Sequence, residues 1–431
     1  MKSIKNKDRE TENSKQNFFQ QLGPGLITGA SDDDPSGIGT YSQVGAQFGF
    51  GMLWTMLFSY PLMTAIQEIS ALIGRVTGRG IAGNMRRYYP KWLTYSIVVL
   101  LLIANIINLG ADINAMGAAV KLLIGGSAIL YSALLSVASV FLQILVPYNK
   151  YANILKWMTL SLFAYVATVF VVHVHWDQAL RETFFPAIEF TPPYLTALIA
   201  VLGTTISPYL FFWQASAEVE EVEGDPNAEA LKYSPAQAAK QFQRIRADTY
   251  IGMAVSNLIA FFIILTAAVT LHVNGKTHIE TAAQAAEALR PVAGDFAFLL
   301  FAAGIVGTGL LALPILAGSA AYAVSGAFGW RASLERQALQ AKRFYGVLEI
   351  ATLIGLGLNF TPIDPIEALF WSAVINGVLA APVMVVMMLM ATNHRVMGEF
   401  TLSSRLKITG WVATAVMFAA AVGLFATWGK S

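Results

Sequence analysis

The sequence contains no cysteine in its 431 residues, and only 13% of them are charged, against roughly 25% in an ordinary soluble domain. The missing cysteines exclude disulfides and thiolate metal sites. The net charge is only +2, so the chain lacks the basic surface of a nucleic-acid-binding protein. It also lacks phosphate-loop, nucleophile-elbow and H-E-x-x-H motifs. The sequence therefore predicts neither an ATP-driven pump nor an enzyme, and it implies no cofactor.

Long apolar runs fill most of the chain. Hydrophobic residues make up 56% of it, and the mean hydropathy is +0.57. A helix needs about 20 apolar residues to cross the roughly 30 Å of hydrocarbon in a bilayer, and eleven stretches approach that length. We expect an all-α polytopic membrane protein surrounded by lipid, with predicted spans at 21–47, 50–74, 92–123, 127–147, 150–173, 192–222, 243–274, 293–325, 341–359, 365–392 and 406–428.

The distribution of basic residues predicts the orientation of the chain. Residues 1–20 form a polar tail with several lysines and no cleavable signal peptide. Lysine and arginine concentrate in the loops that follow spans 2, 4, 6, 8 and 10, and the positive-inside rule assigns these loops to the cytoplasm. We expect a multi-pass protein of the cell membrane with a cytoplasmic N-terminus and, after eleven spans, an extracytoplasmic C-terminus.

Two spans carry a proline where the membrane midplane should lie. Pro35 follows an aspartate in the first span, and Pro208 follows Ser207 in the sixth. A proline removes one backbone hydrogen bond and clashes with the preceding turn, so each helix should open just before it; a simple kink is the alternative for either helix alone. Unpaired backbone at that depth survives only where it lines a cavity or is buried in protein.

The positions of the two breaks predict an inverted repeat. If spans 1–5 and 6–10 form two repeats, each break falls in the first helix of its repeat, an arrangement typical of transporters that bind substrate at the midplane. The predicted organisation is a single transmembrane domain at 21–428, with one repeat at about 21–173, a second at about 192–392 and an extra helix at 406–428.

Three consecutive aspartates, Asp32, Asp33 and Asp34, precede the first proline. Carboxylates at the C-terminal end of a half-helix face the negative end of its dipole, so a cation or a proton must neutralise them. Successive helical residues point about 100° apart, so the three cannot all face one ligand. Asp34 is nearest the break and is the predicted substrate ligand. Asp32 and Asp33 either face a cytoplasmic vestibule or bond within the protein.

The motifs around these residues resemble the Nramp family of proton-coupled divalent metal transporters, which have eleven or twelve helices in the LeuT-like fold. The family opens its first helix with Gly-Pro-Gly and places Asp-Pro-Gly-Asn at the break. It ends the second helix in Gly-x-x-Thr-Gly-[Lys/Arg], carries an Asp in the third helix and has Met-Pro-His in the sixth. The matching segments here are Gly23–Gly25, Asp34–Gly37, "GRVTGRG" at 74–80, Asp112, and Ser207–Tyr209.

This sequence departs from the family at the metal site itself. Gly37 stands where the family has Asn, Ser207 where it has Met, and Tyr209 where it has the His implicated in proton handling. Without a thioether the remaining ligands are oxygens: the Asp34 carboxylate, the Ser207 hydroxyl, and freed carbonyls near Thr204. Such a set suits Mg²⁺ or Mn²⁺. The predicted substrate site is therefore Asp34, Gly37, Thr204 and Ser207, with Asp34 and Ser207 as metal ligands.

A proton route is expected beside this site. The resemblance implies that Asp112 and Tyr209 stand at proton-handling positions, and Glu68 near the inner end of the second span is a further candidate. Asn105, Asn108 and Asp112 share one face of the third span. Hydrogen bonding between helices is the alternative explanation for these intramembrane polar residues.

Three functions remain open from the sequence. The first is proton-coupled uptake of a divalent metal cation, which the resemblance favours. The second is symport of a small organic acid or amino-acid-like solute, whose carboxylate would bind the amides of Gly37 to Gly39 at the start of the outer half-helix. The third is a membrane sensor that binds without transporting. The sequence predicts no oligomeric state.

Overall fold

A computed structural model describes residues 28–29, 31–146, 158–225, 228–279, 281–334, 340–361 and 363–427. The predicted tail at 1–20, the start of the first predicted span and the end of the last one lie outside these residues. Every regular element within the described ranges is a helix. The predicted all-α class is confirmed.

Fourteen helices of eight or more residues occur in the described part of the chain. The first seven are α1 (Pro35–Phe48), α2 (Trp54–Thr77), α3 (Ile81–Tyr88), α4 (Lys91–Ile124), α5 (Ala128–Leu145), α6 (Phe163–Val171) and α7 (Trp176–Phe184). The other seven are α8 (Pro192–Thr205), α9 (Pro208–Gly224), α10 (Ala238–Thr270), α11 (Ala297–Phe328), α12 (Lys342–Leu358), α13 (Pro365–Ala391) and α14 (Ser404–Thr427).

Eight helical stretches of the described chain are long and apolar enough to cross a membrane. They coincide with predicted spans 2, 3, 4, 6, 7, 8, 10 and 11, where span 6 combines α8 and α9. The three remaining predicted spans contain shorter described helices, namely α1, α6 and α12. A multi-pass membrane protein is therefore established, while the count of eleven stays a prediction.

The first span is interrupted directly before its proline. Residues 31 and 32 are helical, Asp33 and Asp34 form a bend, and α1 begins at Pro35. Asp34 has extended backbone angles and is the N-cap of α1, and its side chain accepts a hydrogen bond from the Gly37 amide. This is the usual way in which a short carboxylate begins a helix, and proline fits the first helical position because its missing N–H needs no partner there.

The sixth span is interrupted in the same way, but the backbone groups at its break are satisfied differently. α8 ends at Thr205, Ile206 and Ser207 are non-helical, and α9 begins at Pro208. The Ser207 hydroxyl donates back to the carbonyls of Gly203 (2.7 Å) and Thr204 (2.8 Å). Ser207 thus satisfies the end of the preceding half-helix, whereas Asp34 satisfies the start of the following one.

The two breaks lie at the centre of the bundle. α1 packs against α4, α8, α10 and α13, while α9 packs against α2, α11 and α13. At the crossing of α8 and α13 the Gly203 backbone rests directly on the backbone of Ala373 and Gly377. A Cβ atom at Gly377 would stand 2.5 Å from the Ile199 carbonyl oxygen. No side chain fits between these two helices at that point.

The "GRVTGRG" segment forms the end of α2. Gly78 adopts a left-handed conformation (φ 62°) and its amide donates to the Gly74 carbonyl at 2.9 Å. A glycine in that conformation is the common way to end a helix, because other residues are strained there. The motif therefore has a local structural role at the end of the second span.

Candidate functional site

Asp34 accepts hydrogen bonds from the backbone amides that begin α1, the outer half-helix of the first span. Its Oδ1 accepts from the Gly37 amide at 2.8 Å, and its backbone carbonyl accepts from the Ile38 amide at 3.0 Å. Gly39, the third position proposed as an anion anchor, packs closely against Leu369 of α13. Two of the three N–H groups that the organic-acid hypothesis requires are thus already bonded to Asp34.

The second carboxylate oxygen of Asp34 joins three parts of the bundle. Oδ2 accepts from the Tyr209 hydroxyl at 3.1 Å and from the Asn108 side-chain amide at 3.3 Å. Tyr209 belongs to the first turn of α9 and Asn108 to the middle of α4, and all three side chains are no more than 2% exposed. A carboxylate offers about four lone-pair positions. Three accept hydrogen bonds of ordinary geometry here, so Asp34 is firmly oriented.

Thr204 and Gly37 lie against each other across the two breaks. A Cβ atom built on Gly37 would stand 3.2 Å from the Thr204 hydroxyl oxygen and 3.1 Å from the Asp32 carbonyl oxygen. Two oxygens, one from each interrupted helix, therefore flank the position where the related family has an asparagine side chain. Ser207 is also buried beside the break, and its hydroxyl hydrogen is committed to the carbonyls at the end of α8.

Asp112 is the most enclosed carboxylate near this site, with a side chain that is fully buried on α4. Neither of its oxygens has a hydrogen-bond partner of ordinary geometry. The Ser36 amide, at the start of α1, faces both this carboxylate and that of Asp34. The structure therefore places Asp112 beside Asp34 without a hydrogen bond of ordinary geometry to either of its oxygens.

Glu68 lies in a different environment. Its carboxylate pairs with Arg246 at 3.2 Å, and the arginine side chain is 61% exposed. None of the hydrogen bonds between described residues joins Glu68 to Asp34, Asp112 or Tyr209. Its predicted part in a proton route remains a prediction.

The other two aspartates of the triplet bond within the protein. The Ser256 hydroxyl of α10 lies 2.8 Å from Oδ2 of Asp32 and 3.3 Å from Oδ1 of Asp33. Both aspartates are at most 2% exposed. Of the two roles left open for them, internal hydrogen bonding is the one observed.

The polar face of α4 divides between two roles. The Asn105 amide donates to the Leu316 carbonyl (2.9 Å) and to the Ser319 hydroxyl (2.7 Å) of α11, so it ties two helices together. Asn108, one turn later, turns to Asp34 instead. The helical spacing of Asn108 and Asp112 in the sequence indicated a shared face, but it did not identify Asp34 as the partner.

The described residues contain no group of three His, Cys, Asp or Glu side chains placed to hold a metal. Any metal bound here must therefore be held by fewer than three such side chains, with oxygens of other kinds beside them. Those within the same region are the Thr204 hydroxyl and the Asp32 carbonyl. They are hard ligands, of the class that Mg²⁺ and Mn²⁺ prefer.

A separate cavity of about 1000 Å³ lies between α2, α3, α9 and α11. Phe212 and Ser216 of α9 line it, and they lie three and seven residues after Tyr209, on the same helix face. The cavity includes the predicted cytoplasmic loop after span 2. Its charged lining consists of Arg79, Arg86, Arg87, Glu220, Glu223 and Arg331.

The chain is similar to proteins that are named as metal transporters and to one that is named as a nucleobase-cation symport family transporter. A protein of Klebsiella pneumoniae described as "Divalent metal cation transporter MntH" is 26% identical over 403 residues, which is 92% of this chain and 91% of that protein. The Eremococcus coleocola manganese transporter superposes with a TM-score of 0.73 at 16% identity, covering 94% of this chain and 86% of that one. Mhp1, a nucleobase-cation-symport-1 family transporter, superposes with a TM-score of 0.56 at 14% identity, covering 95% and 93%.

These neighbours share the fold and differ in what their names say they carry, so the fold alone does not define a substrate. The model of one family spans almost the whole sequence and includes both helix breaks. It is described as "Natural resistance-associated macrophage protein-like" and matches residues 25–427. The chain belongs to the Nramp family.

Proposed function

We propose that this chain is a secondary transporter that takes up divalent metal cations of the Mg²⁺ or Mn²⁺ class together with protons. One observation carries the proposal: the carboxylates of Asp34 and Asp112 are buried side by side, and no lysine, arginine or histidine among the described residues bonds to either. Burying unpaired carboxylates is costly. A bound divalent cation compensates both charges at once.

The architecture proposed for this function is eleven membrane crossings in two inverted repeats of five, followed by one extra helix. The positions of the two breaks support it, because each lies in the first helix of its proposed repeat. The cytoplasmic N-terminus and extracytoplasmic C-terminus follow from the loop charges. Protons are the proposed coupling ion, and Asp112 and Tyr209 are the residues proposed to handle them.

The ligand chemistry supports a hard cation. Asp34 is oriented by three hydrogen bonds, and Thr204 adds a neutral oxygen near Gly37. Ser207 supplies no sulfur, so the site lacks the soft ligand that would favour Cd²⁺. We therefore propose weak discrimination between Mn²⁺ and Mg²⁺.

One observation favours the alternative of an organic anion. The 1000 Å³ cavity beyond Tyr209 is lined by four arginines against two glutamates, an excess of positive charge that would attract a carboxylate. Against it stands the occupation of the Gly37 and Ile38 amides by Asp34, which leaves such a solute without its predicted anchor. A non-transporting sensor has no structural observation of its own in support.

The test is metal binding by purified full-length protein carrying Asp34→Asn. Asparagine is also a good N-cap, so the start of α1 should persist while the charge is lost. Mg²⁺ and Mn²⁺ binding, measured by calorimetry, should disappear, and metal uptake into proteoliposomes should fall to background. Small carboxylates are titrated in parallel on the same samples.

A matched control is available in α13, where Asp364 also caps a helix immediately before a proline, accepting from the Ile366 amide at 2.9 Å. Asp364→Asn makes the same chemical change away from the breaks and should leave metal affinity intact. Retained metal affinity in Asp34→Asn would overturn the proposal. Carboxylate binding without metal binding by the unmodified protein would favour the organic-anion alternative.

A further inference from the structure

An excess of hydrogen-bond acceptors surrounds Asp34. Oδ1 of Asn108 and both carboxylate oxygens of Asp112 are buried without a hydrogen-bond partner of ordinary geometry. The two side chains are 1% and 0% exposed. Leaving a buried polar atom unpaired is destabilising, and more so when it is charged. Three unpaired acceptor atoms on adjacent turns of one helix indicate a ligand that supplies positive charge.

The orientation of Asn108 places its free oxygen at the site. The amide nitrogen is fixed by donating to Oδ2 of Asp34 at 3.3 Å, so the oxygen of the same planar group lies within the same enclosed region. Asp112 follows one helical turn later on the same face of α4. The Ser36 amide faces both Asp34 and Asp112, so the two carboxylates both lie beside the start of α1.

The chemistry of these groups selects the ligand class. The side-chain donors of Tyr209 and Asn108 are already used, since both donate to Asp34. What remains beside the carboxylate of Asp34 is the carboxylate of Asp112 and the amide oxygen of Asn108. Carboxylate and amide oxygens are ligands that Mg²⁺ and Mn²⁺ accept readily, usually with waters completing the coordination.

We propose that Asn108 and Asp112 of α4 are direct ligands of the transported divalent cation. With Asp34 they form a site that lies closer to the third span (α4) than to the sixth span (α8 and α9). This inference rests on the proposed function and specifies its ligands. Asn108 then supplies the amide oxygen that Gly37 cannot, and Asp112 supplies a second carboxylate in place of the thioether absent at Ser207. The resulting site contains oxygen only and carries two negative charges.

The experiment measures binding of MgCl₂ and MnCl₂ to full-length protein in nanodiscs at pH 8 by calorimetry. Asp112→Asn and Asn108→Leu should each weaken both affinities by about tenfold or more, since even groups that only support a metal ligand change affinity by roughly 10–100-fold. Two matched controls should stay within about twofold of the unmodified protein. Glu218→Gln neutralises a buried carboxylate paired with Arg244, and Asn105→Ala removes an amide bonded to α11.

The outcomes separate this inference from the function on which it rests. No metal binding by the unmodified protein would overturn the proposed function and the inference with it. Metal binding that persists in both Asp112→Asn and Asn108→Leu would overturn the inference alone. Unchanged affinity in Asp112→Asn with lost uptake under a pH gradient would assign Asp112 to the proton route and would also overturn the inference.

Conservative variants cover the case in which the first ones do not fold. Asp112→Glu and Asn108→Gln keep the ligand types but lengthen the side chains. Mg²⁺ demands nearly ideal octahedral geometry at 2.0–2.1 Å, so its affinity should fall about tenfold relative to that of Mn²⁺. An unchanged ratio of the two affinities in both variants contradicts direct ligation.

Discussion

The Tyr209 hydroxyl donates to Oδ2 of Asp34 at 3.1 Å and so connects the two helix breaks through one hydrogen bond. Both side chains are at most 2% exposed. The residue after the proline in α9 therefore holds the carboxylate that begins α1. A change at Tyr209 should act on the cation site through this bond.

Tyr209→His places the residue type of the related family at this position. A histidine charges between about pH 5 and 8, and its cationic form beside Asp34 should compete with a divalent cation. We expect Mn²⁺ affinity to fall more steeply in the variant than in the unmodified protein as the pH is lowered from 7.5 to 5.5. Calorimetry across that range measures the two slopes, with Tyr209→Phe as the non-titrating control. Equal slopes in Tyr209→His and Tyr209→Phe would contradict the expectation.

Ser207→Met should change the selectivity of the site. It removes the back-bonds to the Gly203 and Thr204 carbonyls and adds a thioether. A soft ligand favours Cd²⁺ and, less strongly, Mn²⁺ over Mg²⁺. We expect the ratio of Cd²⁺ to Mg²⁺ affinity to rise about tenfold, as measured by competition binding. Ser207→Ala frees the same carbonyls without adding sulfur and should leave the ratio near its original value. A site that already prefers Cd²⁺ strongly before mutation would contradict the oxygen-only description.

Arg244 makes a buried ion-pair cluster with Glu218 and Glu221 of α9, and the Glu218 side chain is fully buried. Arg244→Met leaves that carboxylate unpaired and should reduce the free energy of unfolding by about 3 kcal/mol or more. The double variant with Glu218→Met should recover part of this loss, because the buried carboxylate is removed together with its partner. Denaturation in mixed detergent micelles measures both values.

A surface pair provides the control for this measurement. Lys276 pairs with Glu287, and the two side chains are 47% and 29% exposed. Lys276→Met should change the free energy of unfolding by about 1 kcal/mol or less, since exposed pairs contribute little. Similar losses in Lys276→Met and Arg244→Met would show that the cluster on α9 has no special stability.

The absence of native cysteine makes the orientation directly testable. Single cysteines can be placed at Arg87, His278 and Ala426, whose side chains are all exposed. Arg87 tests the predicted cytoplasmic side, and the other two test the predicted extracytoplasmic side. A membrane-impermeant maleimide applied to intact cells should label His278→Cys and Ala426→Cys but not Arg87→Cys. Labelling of Arg87→Cys alone would show that the orientation is the reverse of the predicted one. Protection of Ala426→Cys alone would contradict the odd number of spans.

The positions of the helix breaks could be predicted from prolines, but proline alone was not a sufficient signal. α2, α11 and α13 continue through Pro61, Pro314 and Pro382 without interruption. These prolines follow Tyr60, Leu313 and Ala381, none of which caps a helix. The two that interrupt follow Asp34 and Ser207. A capping residue directly before proline is the physical difference, because it satisfies the backbone groups that the break exposes.

The partners of the site residues were less accessible to sequence reasoning. That Asp34 would cap its own half-helix follows from the Asp-Pro pair and could have been anticipated, which would have weakened the organic-acid hypothesis at once. The hydrogen bond from Asn108 could not be anticipated, because spacing fixes the face shared by Asn108 and Asp112 but not how α4 is rotated in the bundle. The sharing of Ser256 between Asp32 and Asp33 depends in the same way on tertiary packing.

The contact between Gly203 and Gly377 determines where motion can occur. The backbones of α8 and α13 touch directly, with no side chain between them, so a tilt of one helix toward the other would bring backbone atoms into collision. The flexible point of the sixth span is then the pair Ile206 and Ser207, where the helical hydrogen bonds are interrupted. α9 carries Tyr209 at its start and lines the 1000 Å³ cavity with its next turns. A hinge at these two residues would couple the hydrogen bond between Tyr209 and Asp34 to the opening of that cavity.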